Sequence, residues 1–510
     1  VITLLAMIFL RLFPRYGRVF AVLIGLFSAL LLWGILVYTV SRADYPRMPG
    51  ELFSLGEGAQ FVFAALSDLV RPLDAVMLLG ALVWGWMVPV GVPIWRVATR
   101  LCGWTTAAFL SCALVLGIHG GGAPWTRDRG GCFRLYGVFG LLIADVVVAM
   151  TSSRNSSGAD LSSAPPPTMT IGPLPWKPRR ILLLQIESLD RTVLEDSRMA
   201  RLAMPFLASM VSSGRLGDLT VDMRPLVAVH GVGASADCEY ATWFGRMPDS
   251  SFPWWRMLDS AGGRQALPHR LPKDVTTWSY HGNRGTFFAR KKNYVENMGF
   301  SGYFDREDLG VPPGRWGSSD RQFMDQVIER VSKLPVDGRW IAHGITFSSH
   351  SPFRWIDEYQ KDKFTSKRIE QAGSIVPERR AADYLRSMAF VDIALADSLP
   401  KIAEMVDLLL IYGDHPSGIH VQSYHDGSLR SGGHCREMTL LIRAAREPLP
   451  SMPDVVGHLD LHATLADAYL SDGQALQTWG RSLLQALPSS SLPINLQADA
   501  SRELTGGGPP

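Results

Sequence analysis

Ile181-Leu-Leu-Leu-Gln-Ile186 runs without a charge straight into Glu187-Ser188, and this stretch decides the class of fold. A short uncharged run that stops on an acid reads as a strand buried on both faces, as parallel sheets require. Similar runs recur at Val275–Tyr280, Trp340–Phe347, Asp407–Tyr412 and Met438–Ile442. Helical periodicity separates them, at Arg198–Ser213 (closed by Gly214), Asp320–Leu334, Asp383–Leu399 and Leu459–Leu470. Strands alternating with helices predict an α/β domain, its mostly parallel sheet flanked by helices on both faces.

In such sheets ligands collect beyond the carboxyl ends of the strands. Here Ile181–Ile186 ends on Glu187-Ser188, Val275–Tyr280 on His281-Gly282-Asn283, Trp340–Phe347 on Ser348-Ser349-His350, and Asp407–Tyr412 on Gly413-Asp414-His415. Any one of these could be a solvated loop residue or a cap. Acids and histidines at every one of these strand ends point to a site. Carboxylates with an imidazole suit a divalent cation such as Mn²⁺ or Zn²⁺, and oxygen ligands also admit Mg²⁺.

A nucleophile is offered by Val229–Glu239, V-H-G-V-G-A-S-A-D-C-E, where small residues leave the Ser235 hydroxyl open to a bulky substrate. By itself a serine after glycines is an ordinary turn. A cation on its oxygen would lower its pKa, which an isolated serine cannot achieve. His281, Arg290 and His350 would hold an anionic group, the arginine fork matching phosphate oxygens. The set describes metal-assisted attack on a phosphate or sulfate ester.

Of the 510 residues 47% are hydrophobic and 19% charged, and the apolar excess lies mainly before residue 150. Phe20–Val40, Ala75–Trp95, Leu101–Trp125 and Leu135–Met150 read as membrane spans, and Val1–Leu10 could supply another, giving about four to five. Asp145 falls inside the last of these, near its end, where it can reach the interface. Ala59–Leu69 is too short to span. No small-residue processing site separates the spans, so a cleaved signal peptide is not expected. Arg11, Arg15, Arg18, Arg96 and Arg100 on one set of loops nearly balance Arg42, Arg47, Arg71, Arg127, Arg129 and Arg134 on the other, so charge counting does not orient the globular part.

Residues 1–150 are therefore expected to form a transmembrane bundle and 151–175 a Ser/Pro-rich linker without packed structure. The globular domain is expected at 176–487, followed by a frayed tail at 488–510. A net charge of +3, with no basic block, argues against nucleic acid. The five cysteines show no metal spacing. Cys102, Cys112 and Cys132 read as small hydrophobes, and Cys238 and Cys435 could pair in an oxidising compartment.

The motifs resemble the alkaline phosphatase superfamily, and within it the sulfatase-like lipoteichoic acid synthase family of phosphoglycerol transferases. L-L-L-Q-I-E-S-L resembles its first strand, ending on the metal-binding Glu187; M-P-F-L-A-S-M from Met204 resembles the following helix. G-V-G-A-S-A-D-C-E resembles the nucleophile motif, and H-G-N-R-G-T-F-F-A-R the segment that carries His281 and Arg290 as substrate-binding residues. M-G-F-S-G-Y-F-D (Met298–Asp305) and W-G-S-S-D (Trp316–Asp320) match later landmarks. T-F-S-S-H-S-P-F places His350 at the substrate head group, I-Y-G-D-H supplies Asp414 and His415, and H-L-D-L-H-A-T-L resembles the closing helix with Ala463 in place of the usual Pro.

The resemblance implies one divalent ion, commonly manganese with magnesium or zinc possible, held by Glu187, Ser235, Asp414 and His415. It implies a multi-pass protein of the bacterial cytoplasmic membrane with its catalytic domain facing the periplasm or exterior. It also implies a donor, phosphatidylglycerol, whose glycerophosphate passes through Ser235 to an envelope glycan or glycolipid. Ser235 lacks the x-Pro-x-Arg context of formylglycine sulfatases. Phosphoethanolamine transfer, plain phosphodiester hydrolysis and a catalytically inactive binding module are the competing readings.

Overall fold

The structure is a computed structural model. It describes residues 165–493 apart from 230–233, 249–257, 259, 311–318, 351–352, 354–355, 357–362, 378 and 418–437. All belong to one compact unit, Gly158–Pro509. The segments read as membrane spans, and Cys102, Cys112, Cys132, Asp145 and Cys435, lie outside the described residues. Among the described residues no helix is long and apolar enough to cross a membrane.

The strands are β1 (Thr168–Thr170), β2 (Arg180–Ile186), β3 (Arg215–Leu216), β4 (Leu219–Val227), β5 (Val275–His281), β6 (Gly302–Phe304), β7 (Arg339–Ile345), β8 (Leu408–Gly413), β9 (Thr439–Ala445), β10 (Val456–Gly457) and β11 (Ala475–Gln477). The principal helices are α1 (Ser197–Leu202), α2 (Pro205–Ser213), α3 (Ala234–Phe244), α4 (Asp320–Val331), α5 (Lys363–Gly373), α6 (Arg379–Met405) and α7 (His458–Tyr469).

The main sheet runs β10-β4-β9-β8-β2-β7-β5-β6, with β3 beside β4. Strands β8, β2, β7, β5 and β6 are mutually parallel, as expected. β9 runs against both β4 and β8, so the sheet is mixed. All seven residues of β9 are buried. A strand covered on both faces shows the same apolar run whichever way it points, so its direction is invisible in composition.

Alternation along β2 builds two cores. Leu182, Leu184 and Ile186 face one cluster with residues of α2, α4, α5 and α6; Ile181 and Leu183 face the other, with α3 and α7. Both layers meet the central strand, which brings Glu187 to the sheet's carboxyl edge.

Two expectations are corrected. The segment before Trp176 is not free of packed structure, because β1 pairs antiparallel with β11 and Ile171 is 1% exposed. Two polar threonines flanking a methionine gave no apolar signal there. The predicted helix Arg198–Ser213 is two helices, since Pro205 sits at the first turn of α2 and cannot continue α1. β4 and α5 were not anticipated.

Candidate active site

Three chain segments meet at Ser235. It lies in the first turn of α3, an eleven-residue helix, so its oxygen sits in the positive end of the helix dipole. Glu187 follows β2 and the pair Asp414-His415 follows β8, its neighbour in the sheet. The Ser235 Oγ is 3.3 Å from Glu187 Oε2 and 3.4 Å from His415 Nε2. His415 Nε2 is 3.3 Å from Glu187 Oε1 and 3.5 Å from Asp414 Oδ2. The structure therefore brings together all four residues read as metal ligands.

The donors fit a cation. One atom each from Glu187, Asp414 and His415 lie within 4.8 Å of one another. His415 Nδ1 donates to the Pro416 carbonyl at 2.8 Å, which leaves Nε2 facing the acids. Asp414 accepts at Oδ1 from the amides of Ser188 and His415, both at 2.8 Å, whereas its buried Oδ2 makes no hydrogen bond. A buried carboxylate oxygen of that kind is costly unless positive charge meets it. Two carboxylates, an imidazole and a hydroxyl form a donor set that suits Mn²⁺, Zn²⁺ or Mg²⁺.

Electrostatics point the same way. Burial acts to raise Glu187, but the imidazoles of His350 and His415 outweigh it and hold the acid well below its ordinary range. Burial, then the charge of Glu187, pushes Asp414 up. Burial would lower His415, yet Asp414 and Glu187 push it upward. Two acids crowded together demand positive charge, and in the protein alone the His415 imidazolium meets that demand.

A second group lies on the β5–β7 side. The guanidinium of Arg290 is forked onto Glu239, with Nε 3.1 Å from both carboxylate oxygens and Nη2 2.6 Å from Oε1. Its remaining Nη1 is 3.5 Å from His281 Nε2. Burial and the neighbouring Arg290 lower His281 to about 3, so the ring is neutral. Nδ1 donates to the Ile345 carbonyl at 3.1 Å, and the Nε2 lone pair therefore faces Arg290. His281 packs edge-on against Phe347, and His350 stacks on the same ring, with centroids 5.6 and 5.2 Å away. The residues read as substrate-binding thus share one buried scaffold, with most of the Arg290 fork taken up by Glu239.

Several supporting residues were not assigned a role from sequence. Glu239 is in the nucleophile motif but at its far end, on α3. Tyr294 donates to Glu239 Oε2 at 2.7 Å. Asp320 opens α4 and accepts from the amides of Phe347 and Ser348 at 2.7 and 3.1 Å, shaping the turn that leads to His350. His458, the first residue of α7, reaches the Gly413 carbonyl through Nε2 at 2.9 Å and accepts from the Val229 amide at Nδ1, 3.4 Å away. Glu239 and Asp320 could have been suspected from the sequence, as the last residues of the nucleophile motif and of the W-G-S-S-D landmark. Cys238 is a fully buried free thiol whose ionisation burial pushes well up.

No family model matches the chain. A lipoteichoic acid synthase-like protein of Bacillus subtilis, YvgJ, is 21% identical over 274 residues; the match spans 52% of this chain and 41% of that protein. Among solved structures, the lipoteichoic acid synthase LtaP of Listeria monocytogenes overlaps with a TM-score of 0.47 at 17% identity, over 60% of this chain and 75% of its own. The lipooligosaccharide phosphoethanolamine transferase EptA of Neisseria meningitidis gives 0.48 at 14% identity, over 91% and 85%. The chain is thus similar in sequence to a lipoteichoic acid synthase-like protein, of whose length the match spans less than half.

Proposed function

We propose that the chain is a membrane-anchored, metal-dependent phosphoglycerol transferase acting on the outer side of a bacterial cytoplasmic membrane. The observation that carries this reading is the placement of the Ser235 hydroxyl, 3.3 Å from Glu187 and 3.4 Å from His415 at a helix N-terminus. Glu187, Ser235, Asp414 and His415 would hold one divalent ion, with manganese favoured. Bound there, the ion would supply Lewis-acid stabilisation of negative charge.

The chain's own residues do the rest. The Ser235 oxygen attacks the phosphorus of phosphatidylglycerol. The bond from phosphorus to the diacylglycerol oxygen breaks, and the proton lost by Ser235 ends on that leaving oxygen. An acceptor hydroxyl then attacks the glycerophospho-serine, the phosphorus–Ser235 bond breaks, and the proton returns to Ser235. The α3 N-terminus favours the anionic form of the serine oxygen. Arg290, held by Glu239, and His350 would orient the phosphate and the head group, and neutral His281 would accept a hydrogen bond at Nε2. An envelope glycan or glycolipid is the acceptor class this reading favours.

The test is diacylglycerol release, followed by mass spectrometry, from phosphatidylglycerol and phosphatidylethanolamine with Mn²⁺ and purified full-length protein. Ser235→Ala and EDTA-treated samples serve as controls. Release from phosphatidylglycerol alone, absent in both controls, supports the proposal. Release from phosphatidylethanolamine instead would establish the phosphoethanolamine reading, and transfer to water would establish a hydrolase. No release from either lipid would point to another donor, a required acceptor or the binding module.

A further inference from the structure

Ser188, directly after Glu187, has a φ of 56°, in the left-handed region that serine rarely enters, and it is 2% exposed. Backbone strain of this kind persists only where surrounding bonds over-determine it. Here they do. The Ser188 amide donates to Asp414 Oδ1 at 2.8 Å, and its hydroxyl donates to Glu187 Oε1 at 3.0 Å. Its carbonyl accepts from the Tyr384 hydroxyl at 2.9 Å, and the Tyr384 hydroxyl oxygen in turn accepts from the Asp190 amide at 3.0 Å. Tyr384 belongs to α6 and is fully buried, so the turn is clamped from the helix layer as well as from the sheet.

The consequence is a division of labour between the two oxygens of Glu187. Oε1 accepts from the Ser188 hydroxyl and lies 3.3 Å from His415 Nε2, whereas Oε2 is the oxygen that faces Ser235 at 3.3 Å. We infer that Ser188 is a positioning residue, whose left-handed turn joins Glu187 to Asp414 and selects the Glu187 oxygen presented to the nucleophile. This rests on the reading of Glu187, Asp414 and His415 as cation ligands. Groups that orient metal ligands in this way typically change metal affinity by about 10–100-fold when removed.

The test uses purified full-length protein, Mn²⁺ alone as the probe, and two variants that separate the hydroxyl from the strain. Ser188→Ala keeps a side chain in the left-handed turn and loses the hydroxyl. Ser188→Gly loses the hydroxyl and relieves the turn. Mn²⁺ affinity is read by calorimetric titration, and melting of the metal-free protein reports folding. Both variants are expected to bind Mn²⁺ about 10–100-fold more weakly than wild type, with the metal-free glycine variant melting at or above the alanine one. Affinities within twofold of wild type in both would overturn the inference, and so would weakening in the alanine variant alone, because strain rather than the hydroxyl would then be responsible. If wild-type protein itself takes up no Mn²⁺, the cation reading fails and takes the inference with it.

Discussion

Arg290 Nη2 lies 2.6 Å from Glu239 Oε1, and the two side chains are 4% and 1% exposed. This pair ties α3, which carries Ser235, to the segment after β5, which carries His281 and Arg290. Tyr294 donates to the second oxygen of Glu239, so neither carboxylate oxygen lacks a donor. The position of Arg290 next to His281 is therefore inherited from the nucleophile helix, and a change at either end of the pair should be felt at both.

Removing one partner of such a pair leaves a buried charge unmet. Arg290→Ala is expected to destabilise the fold by about 3–5 kcal/mol, the usual consequence of breaking a buried ion pair. Arg290→Lys keeps the charge but loses the fork, and should lie between wild type and alanine. Denaturant unfolding of the full-length protein measures both. A loss of less than about 1 kcal/mol in the alanine variant, the range of exposed pairs, would show that the pair is not structural.

Asp320 supplies a pH signature. Burial raises its carboxyl to about 7, against the opposing hydrogen bonds from Phe347 and Ser348. A group whose folded pKa is raised contributes stability that is complete below its unfolded value, about 3.9. That contribution is lost as pH rises through the folded value. Metal-free wild type should thus lose stability between about pH 4 and about pH 7 through this residue, and Asp320→Asn should flatten that part of the profile. Identical slopes for the two proteins in EDTA would refute the assignment.

The sequence made the central strands and the site's edge readable because β2, β5, β7 and β8 are apolar runs that each stop close to an acid or histidine. Glu187, Asp414 and His415 were legible at strand ends for that reason, whereas Ser235 was read from its small-residue stretch and joined to them as ligands through the family resemblance. β4 was not, because Asp222, Arg224 and Pro225 interrupt it; Asp222 is satisfied by Arg443 of β9, a pairing across strands that no local pattern encodes. The direction of β9, the engagement of Arg290 by Glu239 and the left-handed Ser188 are likewise long-range or conformational facts. Residue type alone carries none of them.

Cation binding should show in stability as well as in activity. A ligand that binds only the folded state adds about 2.7 kcal/mol at a hundred times its dissociation constant. Mn²⁺ should therefore raise the melting temperature of wild type, and EDTA should reverse the shift. Asp414→Asn, which removes charge from the buried Oδ2, should abolish it. An equal Mn²⁺ shift in wild type and Asp414→Asn would place the ion elsewhere.

His458 provides the remaining prediction, because it bridges two site segments without touching the nucleophile. Its Nε2 donates to the Gly413 carbonyl, one residue before Asp414, and its Nδ1 accepts from Val229, at the entry to the nucleophile segment. The ring is buried and packs edge-on to Tyr412 at 5.8 Å. Each neutral hydrogen bond of this kind contributes about 1 kcal/mol net, and an orphaned partner costs about 1–3 kcal/mol. His458→Ala should lower kcat about tenfold or more while leaving KM nearly unchanged, since a misplaced reacting group acts on the transition state. His458→Gln can still donate to Gly413, and His458→Asn can still accept from Val229, so each should recover part of the loss. A KM effect without a kcat effect would assign His458 to substrate binding, and an alanine variant with wild-type kcat would dismiss the bridge as packing alone.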